Sequence, residues 1–209
     1  VHTGGVSNGA IVAGDQAIYG SADQTTIGDG GTQAVYAGGT ASGTTVNAGG
    51  TQIDWGVVSG TIVNGGTQYV WGTATGTTVV SGLQQVGNGG TADAAIVNGG
   101  GEQIVHGGGV SNGAIVAGDQ TVYGSADQTT IGDGGLQSVY GSATGTMVEA
   151  GGEQSVHVNG VATGTTLNGG VQITWGNAVD TMILSGNQYV WGTASGTTIQ
   201  SGAQHVGAG

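Results

Sequence analysis

Acids and histidines are the side chains of this sequence that could do chemistry: twelve Asp or Glu and four His occur among 209 residues, with no Lys, Arg or Cys. Hydrolysis of a glycosidic bond needs a pair of carboxylates, and lyase chemistry on acidic sugars also needs a cation in the cleft. The acids and histidines here are scattered, and they form neither a His-Glu-x-x-His motif nor a Ser, His and Asp arrangement. We therefore expect no catalytic residues, and the protein is predicted not to be an enzyme.

Calcium is the metal that isolated acids would suit best, because it takes about six to eight oxygen ligands. Asp29 and Asp133 occupy Gly-Asp-Gly-Gly segments, and Asp15 and Asp119 occupy Gly-Asp-Gln segments. No Asp-x-Asp pattern or calcium-binding nonapeptide repeat accompanies them. The sequence therefore predicts neither a metal site nor a cofactor.

The charge balance limits the partners further. The formal net charge is -12 at pH 7, and no base is present to pair with an acid. Binding to phosphate groups needs cationic side chains, so the composition excludes nucleic acid and anionic membrane surfaces as partners. No run of about 18 apolar residues could insert into a bilayer as a helix.

A glutamine that recurs every 16 to 19 residues shows which elements position these groups. One copy, Gly66–Val80, is predicted to form a strand, a Gly-rich corner and a second strand, followed by a turn into the next copy. A short period held over twelve copies is typical of a solenoid, in which each copy forms one coil. The repeated glutamines are Gln16, Gln33, Gln52, Gln68, Gln84, Gln103, Gln120, Gln137, Gln154, Gln172, Gln188 and Gln204.

Strand alternation assigns these glutamines to the interior. The repeat Gln and the aliphatic residue two positions later, such as Gln68 and Val70, share one face of their strand. Buried amides stacked from coil to coil could then form a hydrogen-bonded ladder. A second inward column, with Val79 as an example, carries Ala or Thr two residues earlier. Asp54 replaces the aliphatic residue in one coil, which predicts either a register shift there or backbone donors around its carboxylate.

The fold class predicted from these patterns is all-β: a right-handed parallel β-helix of about twelve coils of 16–19 residues. Residues 1–209 are expected to form one continuous domain, a piece of a longer solenoid, since neither end carries a capping sequence. A duplication overlies the coils, because Val6–Tyr36 recurs as Val110–Tyr140. The two copies differ at Ala17/Thr121, Ile18/Val122, Thr32/Leu136 and Ala34/Ser138.

A column of mostly aromatic residues, here called the aromatic column, stands three residues after the repeat Gln and is predicted to face outward. Its aromatic members are Tyr19, Tyr36, Trp55, Trp71, Tyr123, Tyr140, Trp175 and Trp191, and the other coils place Gly87, His106, His157 and Gly207 there. Exposed aromatic rings anchor interfaces, so the column could bind sugar rings or a second copy of the rod. The alternative is that the rings only stack on each other and stiffen the edge of the coils.

A hydroxyl or an acid stands at the corner before the second strand of most coils, and we call this position the corner column. Its hydroxyl members are Ser42, Ser59, Thr75, Thr144, Thr163 and Ser195. In other coils the position is occupied by Asp23, Asp93 or Asp127. Ser7 and Ser111 are expected at related corners. Such a residue could bond its own backbone in a turn. It could equally accept an O-linked sugar.

The segment Gly65–Val79, Gly-Gly-Thr-Gln-Tyr-Val-Trp-Gly-Thr-Ala-Thr-Gly-Thr-Thr-Val, resembles the strand-loop-strand repeat of autotransporter passenger domains. That family includes AIDA-type diffuse-adherence adhesins and self-associating adhesins of Gram-negative bacteria, and the resemblance covers essentially the whole chain. It implies a right-handed β-helix that is exported through the outer membrane to the cell surface. Adhesion, autoaggregation and biofilm formation are the implied functions, with further copies of the rod and host-surface glycans or proteins as partners.

The same resemblance implies a modification. Many members of the family are O-heptosylated on serine by heptosyltransferases, which makes Ser42, Ser59 and Ser195 acceptor candidates and a heptosyltransferase a partner. Asp or Thr fills the corner in many coils, so the modification is expected to be sparse.

Three other interpretations remain. The rod could be a structural spacer, with binding done elsewhere in a longer protein. It could be an ice-binding solenoid, although this needs threonines such as Thr44, Thr77 and Thr197 to face outward, and the register points them inward. An enzyme acting on polysaccharides would need acids that converge in a cleft.

Overall fold

In the computed structural model, which describes Val1–Gly207, every regular element is a β-strand, and the paired strands run parallel. The strands stack into a solenoid of about twelve turns, which confirms the predicted all-β solenoid. Short runs of Val, Ile and Thr suit a pleated, half-buried surface, and the glycines between them provide the corners. The described residues contain no helical segment with the length and hydropathy needed to cross a bilayer.

The strand bounds show how each coil is built. The first coils contain β1 (Val6–Asn8), β2 (Ile11–Val12), β3 (Asp15–Ile18), β4 (Ser21–Asp23), β5 (Thr26–Ile27), β6 (Thr32–Val35), β7 (Thr40–Ser42), β8 (Thr45–Asn47), β9 (Thr51–Asp54) and β10 (Val57–Ser59). The middle coils contain β11 (Ile62–Val70), β12 (Thr73–Thr75), β13 (Thr78–Val86), β14 (Thr91–Asp93), β15 (Ile96–Val105), β16 (Val110–Asn112), β17 (Ile115–Val116), β18 (Asp119–Val122), β19 (Ser125–Asp127) and β20 (Thr130–Ile131). The last coils contain β21 (Leu136–Val139), β22 (Ser142–Thr144), β23 (Met147–Glu149), β24 (Glu153–Val156), β25 (Val161–Thr163), β26 (Thr166–Thr174), β27 (Asn177–Val179), β28 (Met182–Val190), β29 (Thr193–Ser195), β30 (Thr198–Ile199) and β31 (Ala203–Val206).

Two sheets wrap the core. The first sheet has twelve strands in the order β1-β4-β7-β10-β12-β14-β16-β19-β22-β25-β27-β29, one from each coil. All other strands belong to the second sheet, which consists of two ladders: the strands that carry the repeat Gln, and the strands that carry the second aliphatic column. The long strands β11, β13, β15, β26 and β28 run through both ladders and join them. Each coil therefore presents three short faces around one narrow interior.

The interior is organised by the repeat glutamines, which align coil over coil in the strand register, as Gln52 does with Gln68. All of them from Gln33 to Gln188 are buried. Each Nε2 donates to Oε1 of the glutamine in the preceding coil at 2.6–2.9 Å. The predicted amide ladder is confirmed, and it satisfies side chains that would otherwise be costly to bury.

Threonines of the second strand complete the ladder. Thr77 Oγ1 donates to Gln68 Oε1 at 3.2 Å, and equivalent bonds recur along the rod. The threonines of this column face inward as predicted; Thr44 and Thr77 are buried, and Thr197, in the last coils, is half-buried. Fully buried aliphatic residues such as Val63, Val70 and Leu167 and small residues such as Ala74 fill the space between the ladders.

Asp54 departs from both expected outcomes. Its strand keeps its register, with Asp54 paired to Val35 on one side and Val70 on the other. The side chain is fully buried, and neither carboxylate oxygen has a hydrogen-bond partner. Burial raises the pKa of this carboxyl well above its usual range, and the nearby Gln68 amide opposes the shift only in part. The ladder bonds of the neighbouring coils fix the register, so the acid is held inside.

Candidate functional site

The aromatic column forms two runs of stacked rings on the outer face of the glutamine-bearing strands. In the first run, ring centroids are 4.5 Å apart for Tyr19 and Tyr36, 5.4 Å for Tyr36 and Trp55, and 5.6 Å for Trp55 and Trp71. The interplanar angles in this run are 5–19°. Parallel strands place like positions at successive coils, so the rings meet face to face along the rod.

The second run lies in the other half of the chain. Centroids are 5.0 Å apart for Tyr123 and Tyr140, 4.1 Å for Tyr140 and His157, 5.8 Å for His157 and Trp175, and 5.7 Å for Trp175 and Trp191. The imidazole of His157 therefore lies inside the stack, between the rings of Tyr140 and Trp175. His106, in contrast, is hydrogen-bonded through Nε2 to Gln85 Oε1 at 2.9 Å.

The rings of the aromatic column reach the solvent at their edges. Seven of the eight predicted residues are exposed and Tyr36 is half-buried; the exposed fractions are Tyr19 45%, Trp55 42%, Trp71 40%, Tyr123 52%, Tyr140 40%, Trp175 42% and Trp191 45%. Because neighbouring rings cover the faces inside each run, a partner there meets ring edges and the O–H and N–H groups they carry. Desolvation by burial is the largest cause that raises the pKa of Tyr19 above its ordinary value. The charge and the hydrogen bond of the neighbouring Tyr36 raise it further.

A glycine lies beneath the last tryptophan of each run. A Cβ atom at Gly87 would stand 2.4 Å from Trp71 Nε1, and one at Gly207 would stand 2.6 Å from Trp191 Cδ1. Each indole therefore covers the glycine of the next coil. The gap in the aromatic column at Gly87 is thus occupied by the ring of the preceding coil.

Two tyrosines outside the predicted column extend the aromatic surface. Tyr69 lies nearly parallel to Trp71, with centroids 5.6 Å apart, and Tyr189 lies nearly parallel to Trp191, at 6.1 Å. Each tyrosine precedes its tryptophan by two positions and so shares its outward face. That spacing was the signal in the sequence that could have identified them.

The corner column runs along the edge of the first sheet. Ser59 pairs in register with Ser42 on one side and Thr75 on the other, and Ser195 pairs with Val179. Ser59 and Ser195 are exposed. Ser42 is half-buried, and its hydroxyl donates to Asp23 Oδ1 at 2.5 Å. The three candidate serines therefore differ in how freely their hydroxyls can be reached.

The residue after each corner turns the chain with a positive φ, as Gly60 does at 60° after Ser59. Its N–H donates to the carbonyl of the next corner residue, for example Gly60 to Thr75 at 2.9 Å. These bonds continue from coil to coil. The corner column is thus held rigidly on a main-chain ladder of its own.

The placement of Ser7 and Ser111 at corners was wrong. They pair with Ala22 and Ala126 in the inward column of the first sheet. Ser111 is fully buried and donates to Gln103 Oε1 at 3.1 Å. The residues that follow them, Asn8 and Asn112, occupy the corners instead. Once this pairing places the serines inward, strand alternation turns the following asparagines outward into the corner column.

The remaining ionisable groups do not converge. Within Val1–Gly207, no group of three or more His, Asp or Glu side chains is placed to hold a metal ion. Asp93 accepts a bond of 2.8 Å from Asn112 Nδ2, so at that corner an acid is paired with an amide. The outer surface offers aromatic edges, hydroxyls and acids, a combination suited to recognition.

Comparison with solved structures identifies a similar protein. The chain superposes with a TM-score of 0.93 on the crystal structure of a TibA fragment hyper-glycosylated by TibC. The two are 39% identical over 99% of this chain and 83% of that one. No protein-family model matches the sequence, and no match was found among curated proteins.

Proposed function

We propose a function from one premise: the chain belongs to the autotransporter passenger family that includes TibA. On that premise the protein is a bacterial adhesin passenger that is exported through the outer membrane and displayed at the cell surface. There it mediates adhesion, autoaggregation or biofilm formation, with residues 1–209 acting as one continuous β-helix. The observation that carries the proposal is 39% identity over 99% of the chain together with a TM-score of 0.93.

The aromatic column is the proposed binding surface. Its exposed rings, extended by Tyr69 and Tyr189, present apolar area beside hydrogen-bonding O–H and N–H groups. Such amphipathic rings anchor interfaces at low entropic cost. Host-surface glycans or proteins, or a second copy of the rod, would contact the ring edges, because the faces are stacked.

Self-association through this surface must overcome a net charge of -12 on each copy. At 0.1 M salt, repulsion between exposed like charges is largely screened beyond about 10 Å, and more salt shortens this distance. Aggregation of the purified protein is therefore expected to strengthen as salt is raised. Unchanged or weaker aggregation at higher salt would count against rod-to-rod contact through the aromatic column.

The proposed modification is O-heptosylation of corner serines by a heptosyltransferase. The support is the hyper-glycosylated state of the TibA fragment, together with the exposure of Ser59 and Ser195 on a rigid edge. Ser42 is the weaker acceptor of the three, since Asp23 holds its hydroxyl. Sugars along this edge would leave the aromatic column, on another face of the coil, open to partners.

A structural spacer is the second candidate, and one observation favours it. Ring faces within each run are covered by neighbouring rings, at 4.1–5.8 Å between centroids. Stacking of this kind stabilises the rod whether or not a partner binds. A spacer would therefore keep the aromatic column without using it for recognition.

The experiment that tests the adhesin proposal compares coated beads. Beads carrying the purified protein and beads carrying an inert globular protein at equal density are mixed with cultured host cells and with each other. We expect several-fold more attachment to cells, or more bead clustering, with the rod. Equal behaviour of the two bead types would remove the adhesin proposal and leave the spacer.

A further inference from the structure

A groove of about 280 Å³ opens on the outer face of β3, β6 and β9, beside the first aromatic run. Its floor is the outward column of Ala17, Ala34 and Ile53, which pair in register across the three strands. Two alanines in succession leave a depression in a column where the next coils carry Tyr69 and Gln85.

The two walls of the groove differ in chemistry. Tyr36 and Trp55 form one wall, with their rings 5.4 Å apart. Asp15 and Thr32, which pair in register, form the other and bring a carboxylate and a hydroxyl. The groove therefore has an apolar floor between an aromatic edge and a single acid.

The duplication within the chain shows that the lining of this groove is only partly repeated in the second half. Val6–Tyr36 and Val110–Tyr140 differ at four positions, and three of those four lie in the groove lining. The second half carries Thr121 and Ser138 on the floor and Leu136 on the wall, each in the same register. The three substituted positions therefore carry larger side chains in the second half, Ser155 stands there in the register of Ile53, and the acid is retained as Asp119.

Charge narrows the choice of occupant. Asp15 is exposed, and the chain has no Lys or Arg to pair with it. A second copy of the chain cannot supply a cationic side chain either. Pockets for small molecules usually have volumes of about 300–1,000 Å³, and the volume of this groove lies just below that range. A groove of this size suits one long side chain.

We propose that this groove binds an arginine side chain presented by a basic partner protein. The aliphatic stem lies on Ala17, Ala34 and Ile53 and runs along the edges of Tyr36 and Trp55, and the guanidinium donates to Asp15. Arginine combines an apolar stem with five donors in a planar fork that matches a carboxylate, and so it fits both the apolar floor and the acid of the groove. The inference names a partner class for the adhesin proposed above and rests on it for its biological meaning.

The test is a titration of the purified protein followed by methyl NMR signals of Ala17, Ala34 and Ile53. The probe is N-acetyl-arginine amide, and the control is N-acetyl-citrulline amide, which has nearly the same shape and no charge. We expect saturable shifts with an affinity of about 1 mM, as suits one side chain, and binding of the citrulline compound about threefold weaker. Methyl signals of the second half, such as Thr121, are expected to stay unchanged.

Two variants separate the cavity from the charge. Ala17→Thr with Thr32→Leu and Ala34→Ser introduces the residues that the second half already carries in the same fold, and should weaken arginine binding at least about tenfold. Asp15→Asn should bind both probes alike. The proposal would be overturned if the titration does not saturate, or if the triple variant binds arginine as well as the wild type. It would also be overturned if Asp15→Asn still prefers the arginine probe to the citrulline probe. Adhesion of coated beads is measured separately. If the titration fails while beads still adhere, only the arginine-binding proposal is wrong. If arginine binds while beads do not adhere, only the adhesin proposal is wrong.

Discussion

The indole of Trp71 lies directly over Gly87, so that a Cβ on this glycine would stand 2.4 Å from Nε1 of the tryptophan. The same relationship recurs between Trp191 and Gly207. Each aromatic run therefore ends on a position where any side chain larger than hydrogen would collide with a ring. The glycines that interrupt the aromatic column are part of its packing.

Gly87→Ala should displace Trp71 from the surface of the next coil. Overpacking of this kind costs about 1–3 kcal/mol unless the ring moves away, and an exposed edge gives it room to move. We expect a changed chemical shift of the Trp71 indole N–H in a ¹H–¹⁵N spectrum, with little change elsewhere. Gly107→Ala is the matched control, because a Cβ there meets nothing within 4 Å. An unshifted Trp71 signal in Gly87→Ala would contradict this packing.

Gln68→Leu should break the amide ladder at its middle. Gln84 Nε2 and Thr77 Oγ1 both donate to Gln68 Oε1, at 2.9 and 3.2 Å, and would lose their acceptor inside the core. An unsatisfied buried donor costs about 1–3 kcal/mol, so we expect a loss of about 2–4 kcal/mol in urea denaturation.

The matched control for the ladder is Gln204→Leu. Gln204 is half-buried in the last described turn and donates to Gln188 and Thr197. Its loss should cost clearly less than that of Gln68. Equal costs for the two variants would show that the ladder does not stabilise the rod as a connected chain.

Asp54→Val should stabilise the protein at neutral pH and remove one source of pH dependence. Burial raises the folded-state pKa of Asp54, so the protonated form is favoured in the rod. Its contribution to stability is therefore present below the unfolded pKa of about 3.9, and is lost as pH rises through the higher folded value. We expect the wild type to weaken relative to Asp54→Val from about pH 4 upward.

Thr174→Val is the control for Asp54, since Thr174 occupies the same inward position in its coil and also lacks a hydrogen-bond partner. Its difference from wild type should not change with pH. The measurement is the thermal midpoint of each protein between pH 4 and pH 8. A parallel pH dependence of wild type and Asp54→Val would show that the carboxyl is not held protonated.

Intact mass should reveal modification of the corner serines in protein made together with its glycosyltransferase. We expect added heptose units that decrease in number in Ser59→Ala and Ser195→Ala, because both hydroxyls are exposed. Ser42→Ala should change the mass distribution less, since Asp23 engages that hydroxyl. Ser111→Ala serves as a buried control. Unmodified protein, or equal loss in all four variants, would contradict the assignment of acceptors to this edge.

Period and alternation made much of the fold predictable. Once Gln68 is placed inside, Val70 must follow it inward and Trp71 must face out, and the recurring spacing repeats that choice in every coil. Thr77 could be placed inward in the same way. These positions depend only on the alternation within one strand and on the spacing of the repeat, and both can be read from the sequence.

Features that depend on contacts between coils could not be predicted in this way. The register at Asp54 is fixed by the coils on either side, so its own side chain does not decide its position. Ser111 was misplaced because only the pairing with Ala126 shows which residue of its strand faces inward. The groove beside Tyr36 arises from residues of three coils, and a single repeat contains no sign of it.

Adhesion of coated beads after replacement of the four tryptophans tests most directly whether the aromatic column is the recognition surface. Trp55, Trp71, Trp175 and Trp191 are changed to Ala, and the control changes the exposed Ile62, Ile96, Ile115 and Met147 on another face to Thr, a residue that other coils place at that position. Circular dichroism establishes that both variants keep their strands. We predict that the tryptophan variant loses most of its attachment and clustering while the control keeps both. Undiminished adhesion by a folded tryptophan variant would contradict recognition by this surface and would favour a spacer.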